Sequence, residues 1–466
     1  MKKLLLSILV AGLCFNQASA QQMPKPIQTN AQATRHIGDG VRSIGDTNRT
    51  SLDYPDMRPE SFQPVSFSTV PVSHEKEMAA IAPTAYSCSG TGKACAANRW
   101  FSAETLLWFG QGQSSPAMVV TSDPGVLPLE GVGTTQFGGN RALGSGLLPG
   151  YRLTLGQYFG DCDEWGINGR IYGIYSHNNT YSLTSDGSTS IGIPFYNSLI
   201  GQPDSYLVAF QSGPGGTVTG PTTVNTGTIN IGPSTVVSTG NVSARSDIDM
   251  VGGDTSLMML VGRSGSHRVD LIGGYTYNRL KNSASLETTS TNVYSGDLIA
   301  DGTTFYTNDL FATDNEFHGG HVGLQSTINR QCVSLTTLAK FSFGNVHQFS
   351  NISGYSTVDD QVNPLATYAG GIFTQQSNMG VASRNVFGFI PELNIKLGMK
   401  LKNNLAFTTG YTFMYWSNVA MAGSQMDSTI DLSQTLGGPA GNRPAAVFND
   451  SSYWMQGIDL GLTWTF

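Results

Sequence analysis

The sequence predicts an all-β protein, namely a transmembrane antiparallel up-and-down β-barrel of about ten strands, with twelve possible. Three observations support this fold class. Only 12% of the 466 residues are charged, against about 25% in an average soluble domain. Ten segments alternate apolar and polar side chains with the two-residue period of a strand. Short and long connections between these segments also alternate along the chain, as they do in outer-membrane barrels.

The composition argues against several other classes. The hydrophobic content of 39% and the aromatic content of 10% are too high for a disordered chain. Lys, Glu and Arg, which solvate the surface of helices, are scarce, so a water-soluble helical protein is disfavoured. Past the N-terminus no apolar run reaches the length of a membrane helix, and the mean hydropathy is only −0.11.

The first twenty residues, Met1–Ala20, resemble a secretory signal peptide. Lys2 and Lys3 form its basic start, Leu4–Phe15 its apolar stretch, and small residues precede the expected cleavage after Ala20. We therefore expect export and localisation to the cell outer membrane. Losing the two lysines changes the formal net charge from −7 to −9, which argues against nucleic acid as a partner.

The exported chain divides into two parts. Residues 21–97 are rich in Pro, Gln, Ser and Thr without a sustained period, and we interpret them as a flexible periplasmic N-terminal extension. The barrel itself is expected over residues 98–466. Four cysteines remain after cleavage, and they allow three pairings. Cys88 and Cys95 enclose a short glycine-containing loop and are the favoured disulfide, a pairing that would leave Cys162 and Cys332 free.

The alternation of side chains identifies the strands. In the segment Glu164–Ser176, for example, one face carries Trp165, Ile167 and Ile171 while the other carries charged and amide side chains. The ten predicted strands are Asn98–Gly110, Tyr151–Phe159, Glu164–Ser176, Val242–Val261, His267–Asn282, Phe311–Ile328, Cys332–Phe349, Arg384–Leu401, Leu405–Ser417 and Tyr453–Phe466.

The connections between the strands differ in length by side. Tight turns are expected at 160–163, 262–266, 329–331 and 402–404, and long polar loops at 110–150, 177–241, 283–310, 350–383 and 418–452. This is the pattern of short periplasmic turns and long extracellular loops. A soluble β-sandwich has no reason to sort its loops by side, so it is the weakest alternative. A further hairpin in 203–240 would raise the strand number to twelve.

The last strand supports the same fold. Trp454 and Trp464 lie on one face ten residues apart, roughly 33 Å along a strand. At a tilt of about 40° this spacing matches the apolar band between two aromatic girdles. Phe466 ends the chain on the same face. We expect outer-membrane lipid around this strand and recognition of its terminal aromatic by the barrel assembly machinery.

Charged residues within the strands should face the lumen, because a charge at the bilayer midplane costs roughly 2–4 kcal/mol. They predict either a selectivity lining for a polar channel or a set of pairs that fills a narrow lumen. The candidate lumen-lining residues are Glu104, Arg152, Glu164, Arg170, Arg268, Asp270, Glu392, Lys396 and Lys400.

Signals for catalysis are few. The sequence contains no G-x-S-x-G, no H-E-x-x-H and no complete G-x-G-x-x-G motif. His318 and His321 are three residues apart and therefore point to opposite faces of a strand. Asp247 and Asp249 share a face, where solvated lumen side chains are favoured over a calcium contact. We accordingly expect no catalytic, cofactor-binding or metal-binding residues.

Several blocks of the sequence resemble the planctomycete outer-membrane β-barrel family called porin type seven. The blocks are W-F-S-A-E-T-L-L-W (100–108), 116–122, 131–139, G-Y-R-L-T-L-G (150–156), F-A-T-D-N-E-F-H-G-G-H-V-G-L (311–324), Pro391-Glu392 and G-Y-T-F-M-Y-W-S-N-V (410–419). Where the family tends to read R-P-G-D-Q-I-D, this chain reads M-A-G-S-Q-M-D at 421–427. The resemblance implies an outer-membrane barrel.

The sequence favours passive, porin-like diffusion of small polar solutes through a charge-lined lumen. The first alternative is a structural or surface-interaction barrel with a closed lumen and functional outer loops. A barrel hydrolase is a third, less favoured alternative. The sequence leaves the solute and the oligomeric state open.

Overall fold

A closed ring of ten antiparallel strands forms the body of the protein. The computed structural model describes residues 99–160, 162–214, 234–294, 299–402, 404–439 and 441–466. Each ring strand pairs with the next, and the last pairs with the first. In ring order they are β1 (Arg99–Gly110), β4 (Gly146–Phe159), β5 (Trp165–Ser185), β8 (Val236–Ser264), β9 (His267–Asn292), β10 (Thr304–Arg330), β11 (Val333–Asp359), β13 (Gly380–Lys402), β14 (Leu405–Val419) and β16 (Ser451–Thr465).

Six further strands lie in the long connections. They are β2 (Gln113–Ser122), β3 (Thr134–Leu143), β6 (Ser190–Asn197), β7 (Gln202–Gln211), β12 (Ala366–Ala369) and β15 (Thr429–Ile430). The described chain also has two short 3-10 helices, Ala422–Gln425 and Leu432–Gly437. No helix in these ranges is long and apolar enough to cross a membrane.

The predicted fold class is confirmed, but the predicted strand number is wrong for the molecule as a whole. The described ranges contain sixteen strands, and each of the ten predicted segments overlaps one strand of the ring. The six missed strands are short and lie in polar loops, where alternation is weak. In the described part of the 203–240 region, β7 pairs with β6 and with the start of β8, so β7 is not part of a further ring hairpin.

The ring strands also continue further beyond the bilayer than predicted. Strands β8 to β11 have 29, 26, 27 and 27 residues, whereas about 9–11 residues suffice to cross a bilayer. The outward face of β9 turns polar at Arg279 and Lys281, but its inward face remains apolar at Leu280 and Leu286. The predicted strands stop where the lipid-facing pattern stops, although the backbone pairing continues beyond the membrane.

The outward face nearer the short turns is apolar. Large exposed side chains there include Phe101, Leu155, Ile171, Leu257, Phe341, Leu397 and Leu462. Such a band is unfavourable in water but suits contact with acyl chains. The short turns at the same end of the ring therefore mark the periplasmic side.

The outer loops fold into the upper part of the barrel. Met118 and Val119 of β2 and Ile191 of β6 belong to one buried apolar cluster with Leu286 and Phe311 of the barrel wall. This burial holds the loop strands against the ring, because apolar surface is removed from water.

Inside the barrel, large aromatic side chains lie over glycines of the neighbouring strand. A Cβ atom on Gly252 would come within 2.7 Å of the Tyr172 ring, and one on Gly457 within 2.8 Å of the Trp108 ring. Each glycine directly faces its aromatic residue in the strand register. Part of the high glycine content is thus a volume requirement of a narrow, filled barrel.

Gly110→Ala tests this requirement. Its Cβ would meet the Tyr453 hydroxyl and lie 2.8 Å from Leu148 Cδ1. We expect the free energy of unfolding to fall by about 1–3 kcal/mol, measured by urea unfolding of the refolded barrel in lipid vesicles. Gly169→Ala is the control, since its Cβ meets nothing within 4 Å. Equal effects of the two changes would contradict the explanation.

Candidate functional site in the barrel lumen

Two clusters of ion pairs cross the lumen at one level. In the first, Arg152 Nε lies 2.6 Å from Glu104 Oε2, and Arg152 Nη2 lies 2.6 Å from Asp459 Oδ2. Lys396 Nζ lies 2.6 Å from the other oxygen of Glu104. These side chains belong to β4, β1, β16 and β13, so the cluster spans about half of the ring.

The second cluster bridges the full width of the barrel. Arg170 Nη1 and Nη2 donate to the two oxygens of Glu392 at 2.5 and 2.7 Å. Their strands, β5 and β13, are five places apart in either direction round the ring, on opposite walls. Asp254 accepts from Arg170 at 2.6 Å and from Lys340 at 2.8 Å. Lys340 also lies 3.0 Å from Glu392.

Each cluster contains two cationic and two anionic side chains and is therefore neutral. Glu104, Glu392 and Asp459 are at most 1% exposed. Isolated charges would be very costly at such burial, and only close pairing with further hydrogen bonds makes them tolerable. The clusters consequently depend on every member being present.

Asp459 connects the ion pairs to the layer above. Besides Arg152, it accepts from Thr412 Oγ1 at 2.6 Å, Asn394 Nδ2 at 2.9 Å and Trp108 Nε1 at 2.8 Å. Trp108 is a member of the next, apolar layer. The two layers are thus joined by a hydrogen bond to a charged acceptor, the stronger kind in proteins.

Apolar side chains fill the lumen immediately outside the ion pairs. They come from all around the ring and form one buried cluster. Its members include Leu106, Trp108, Leu148, Tyr172, Ile248, Met250, Leu280, Phe317, Val346, Ile390, Met414, Trp416, Tyr453 and Met455.

Amide side chains hold an outer loop across the barrel above this layer. Asn315 accepts from the Ala420 N–H at 2.7 Å and donates to its carbonyl at 2.9 Å. Asn282 accepts from the Ala422 N–H at 2.8 Å, and Gln113 accepts from the Gly423 N–H at 3.0 Å. The polar groups of this buried loop are therefore satisfied by the barrel wall and by β2.

Asp427 anchors the following part of the same loop. Its carboxylate accepts from the N–H groups of Thr429 at 2.9 Å and Ala445 at 2.7 Å, and from the Arg443 guanidinium at 2.9 Å. Burial opposes ionisation of this carboxyl, but these donors together hold the pKa of Asp427 below its ordinary value. Asp427 is the last residue of the M-A-G-S-Q-M-D segment and matches the Asp that ends the R-P-G-D-Q-I-D pattern.

A cavity of about 600 Å³ remains on the periplasmic side of the ion pairs. Arg152, Arg170 and Lys340 line its inner end, and residues of the β4–β5 and β8–β9 turns line its rim. We call this space the periplasmic vestibule. Because the ion pairs and the apolar layer lie beyond it, the vestibule is blind.

Seven of the nine predicted lumen residues point inward. Six of them are buried or nearly so, namely Glu104, Arg152, Arg170, Glu392, Lys396 and Asp270. Arg268 lies nearer the rim, 2.7 Å from Asp270 and with its guanidinium 3.9 Å from the centroid of the Tyr158 ring.

Two predicted lumen residues lie elsewhere. Glu164 is exposed in the β4–β5 turn, because its strand begins only at Trp165. Lys400 has the inward parity of β13, but it lies past the end of the lumen and is exposed. Alternation gives the face of a residue and not its height along the barrel axis.

Three members of the ion clusters were not among the predicted lumen residues, namely Asp254, Lys340 and Asp459. All lie within predicted strands, on the face opposite exposed apolar residues such as Phe341 and Leu460. Strand parity alone would have found them. Their pairing partners could not have been found this way, since those lie across the ring.

The predicted aromatic girdle residues lie on the outward face of β16. Trp464 and Phe466 are exposed, and Trp454 is half-buried. Phe466 also exchanges two backbone hydrogen bonds with Arg99, at 2.9 and 3.1 Å. The end of the chain therefore takes part in closing the ring.

The two histidines lie on opposite faces of their strand, whereas the two aspartates share one face. His318 faces outward and lies 2.6 Å from the Tyr275 hydroxyl, whereas His321 is buried inside the barrel. Asp247 and Asp249 alternate with buried Ile248 and so face outward, not into the lumen. The described ranges contain no group of three or more His, Cys, Asp or Glu suited to a metal ion.

The cysteines differ from the expected pattern. Cys162, in the β4–β5 turn, is disulfide-bonded, so the expectation that it is free is wrong. Cys332 is an exposed free thiol. Cys88 and Cys95, like the signal peptide and the N-terminal extension, lie outside the described residues.

A closed antiparallel ring with an apolar outward band and short turns at one end defines an outer-membrane β-barrel. The model of the beta barrel porin-7 family matches residues 100–466. The chain belongs to this family, as the sequence blocks predict.

Several solved structures match the chain at low identity. The outer membrane protease OmpT from Escherichia coli is 9% identical, with a TM-score of 0.33, covering 79% of this chain and 97% of that chain. A Pseudomonas aeruginosa FadL homologue is 8% identical, with a TM-score of 0.20 and coverages of 79% and 90%.

An anion-selective porin from Comamonas acidovorans is 8% identical, with a TM-score of 0.13 and coverages of 80% and 99%. Scores this low carry no argument about function. No curated protein matches the sequence.

Glu392→Gln tests the dependence of the ion pairs on one another. It leaves Arg170 and Lys340 short of a buried counter-charge, so we expect a loss of about 3–5 kcal/mol in the free energy of unfolding. Glu164→Gln, at an exposed turn position, should change it by less than about 0.5 kcal/mol. Urea unfolding in lipid vesicles measures both. A small effect of Glu392→Gln would contradict the proposed interdependence.

Asp427 predicts a pH dependence of the outer loop. Because its folded pKa is lowered, its contribution to stability is complete above about pH 4 and is lost as the pH falls through the lowered pKa. Pepsin should therefore cleave the 427–445 loop of Asp427→Asn at a higher pH than it cleaves this loop in the wild type. Asp123→Asn, in another outer loop, is the control. Equal cleavage of wild type and Asp427→Asn at the higher pH would refute the anchoring role.

Proposed function

We propose that this outer-membrane barrel is closed to solute diffusion and acts as a structural and surface-interaction barrel. One observation carries the proposal. Arg170 and Glu392 stand on opposite walls and meet through two hydrogen bonds of 2.5 and 2.7 Å, so side chains bridge the lumen across its full width.

The size of the ring supports the same conclusion. Barrels of about eight strands are filled by their own side chains, whereas open porins have about 16–18 strands. A ring of ten strands is close to the filled class. Solutes would have to displace the ion pairs, the apolar layer and the outer loop in turn.

The outer part of the molecule offers the surface for interactions. The long strands β8 to β11 extend well beyond the bilayer, and the loop strands pack inside them. Exposed apolar side chains stand on several outer loops, among them Leu199 and Ile200 in the β6–β7 turn, Val362 and Leu365 after β11, and Leu436 after β15. Exposed apolar groups of this kind are suited to binding another protein or surface.

Passive diffusion, which the sequence favoured, is the competing function. It is supported by the family membership and by the charged lumen residues, but it requires a continuous water path. The closed barrel and the diffusion pore differ in conductance.

We expect no step-like currents from the folded wild-type protein in planar lipid bilayers, because the ion pairs and apolar layer block the lumen. An open trimeric porin under the same conditions is the positive control. Heat-modifiable migration in gels verifies that the inserted protein is folded. Reproducible discrete steps from the folded wild type would overturn the closed-barrel proposal and support diffusion.

A further inference from the structure

A buried histidine inside the barrel forms a hydrogen-bonded group with hydroxyl side chains. His321 of β10 lies with Nε2 at 2.8 Å from Ser256 Oγ and Nδ1 at 2.8 Å from Thr276 Oγ1. Thr276 Oγ1 is in turn 3.3 Å from Ser342 Oγ. Four successive ring strands, β8 to β11, supply these residues.

The hydrogen bonds are consistent with a serine poised to lose its proton. With its hydrogen on Nδ1, the His321 imidazole donates to Thr276, and the Thr276 hydroxyl donates to Ser342. Nε2 is then the acceptor for the Ser256 hydroxyl. A nucleophile, an adjacent base and a third group that orients the base are the arrangement that activates a serine.

Access to this group is one-sided. Ser256 lines the periplasmic vestibule, and His321 lies behind it in the wall. The vestibule, at about 600 Å³, has the size of a small-molecule site. Asp254, two residues before Ser256 on the same strand, holds the Lys340 ammonium at 2.8 Å. The same ammonium lies 3.0 Å from Glu392, so Lys340 stays paired within the second ion cluster.

We propose that Ser256 and His321 form a nucleophilic acyl-transfer site for small, water-soluble esters that enter from the periplasm. Ser256 Oγ bonds to the carbonyl carbon of the ester while His321 Nε2 takes its proton. The bond to the leaving alkoxide then breaks, and His321 returns the proton to that oxygen. Water, deprotonated by the same nitrogen, hydrolyses the acyl-serine and restores the hydroxyl.

The structure contains a matched control pair. His267 Nε2 lies 2.9 Å from Ser326 Oγ, and His267 also lines the vestibule. This second pair is exposed, near the rim. Ser326 does not line the vestibule and has the outward parity of β10, so this pair controls for the general reactivity of a serine hydrogen-bonded to a histidine.

The test uses the folded, exported chain in detergent, with a fluorophosphonate dye as the covalent probe and p-nitrophenyl acetate as the ester. We expect labelling of Ser256, located by peptide mapping, and its loss in Ser256→Ala. His321→Asn should lower the labelling rate at least about 100-fold. Ser326→Ala should leave it unchanged. Heat-modifiable migration checks folding of each variant.

Thr276 is a positioning residue in this scheme, and the conservative variant tests it. Thr276→Val should lower the labelling rate, while Thr276→Ser, which keeps the hydroxyl, should retain it. Wild-type labelling no higher than that of Ser256→Ala, or labelling mapped to another serine, would overturn the proposal. These results are independent of the conductance measurement, so a closed or open lumen does not affect them.

Discussion

The interior volume of a ten-stranded ring is the constraint on which the rest of this structure depends. Opposite walls are close enough for the side chains of Arg170 and Glu392 to meet directly. Any charged side chain on an inward face must therefore pair with an opposite charge. Any large aromatic side chain needs free volume on the neighbouring strand. The paired clusters satisfy the first condition, and glycines opposite Tyr172 and Trp108 satisfy the second. Closure of the lumen follows from both.

This constraint divides the molecule into two functional ends. The outer end, above the apolar layer, is occupied by loop strands and a loop that amide side chains hold in place. The periplasmic end keeps a blind vestibule of about 600 Å³ with a serine–histidine pair in its wall. A continuous path between the ends is blocked by two layers of different chemistry.

Much of the fold could be predicted because the bilayer imposes a pattern on the chain. Lipid excludes charge from every second residue of a strand, so the ten ring strands were recognisable one by one. The same reasoning failed where lipid is absent. Beyond the bilayer the outward face of β9 becomes polar at Arg279, and the prediction ended the strand although its pairing continues. The short loop strands, such as β12 and β15, pair with distant partners and leave no local pattern.

The sequence by itself determined which residues face inward, because parity along a strand is a local property. It placed Glu104, Arg152 and Glu392 in the lumen but left channel and plug as alternatives. The tertiary structure decided that these charged side chains form ion pairs and do not line a channel. Their partners Asp459, Asp254 and Lys340 belong to strands that ring closure brings together. The tertiary structure also decided that His321 meets Ser256, 65 residues away in the chain. Distances across a ring depend on closure, and closure is a property of all ten strands together.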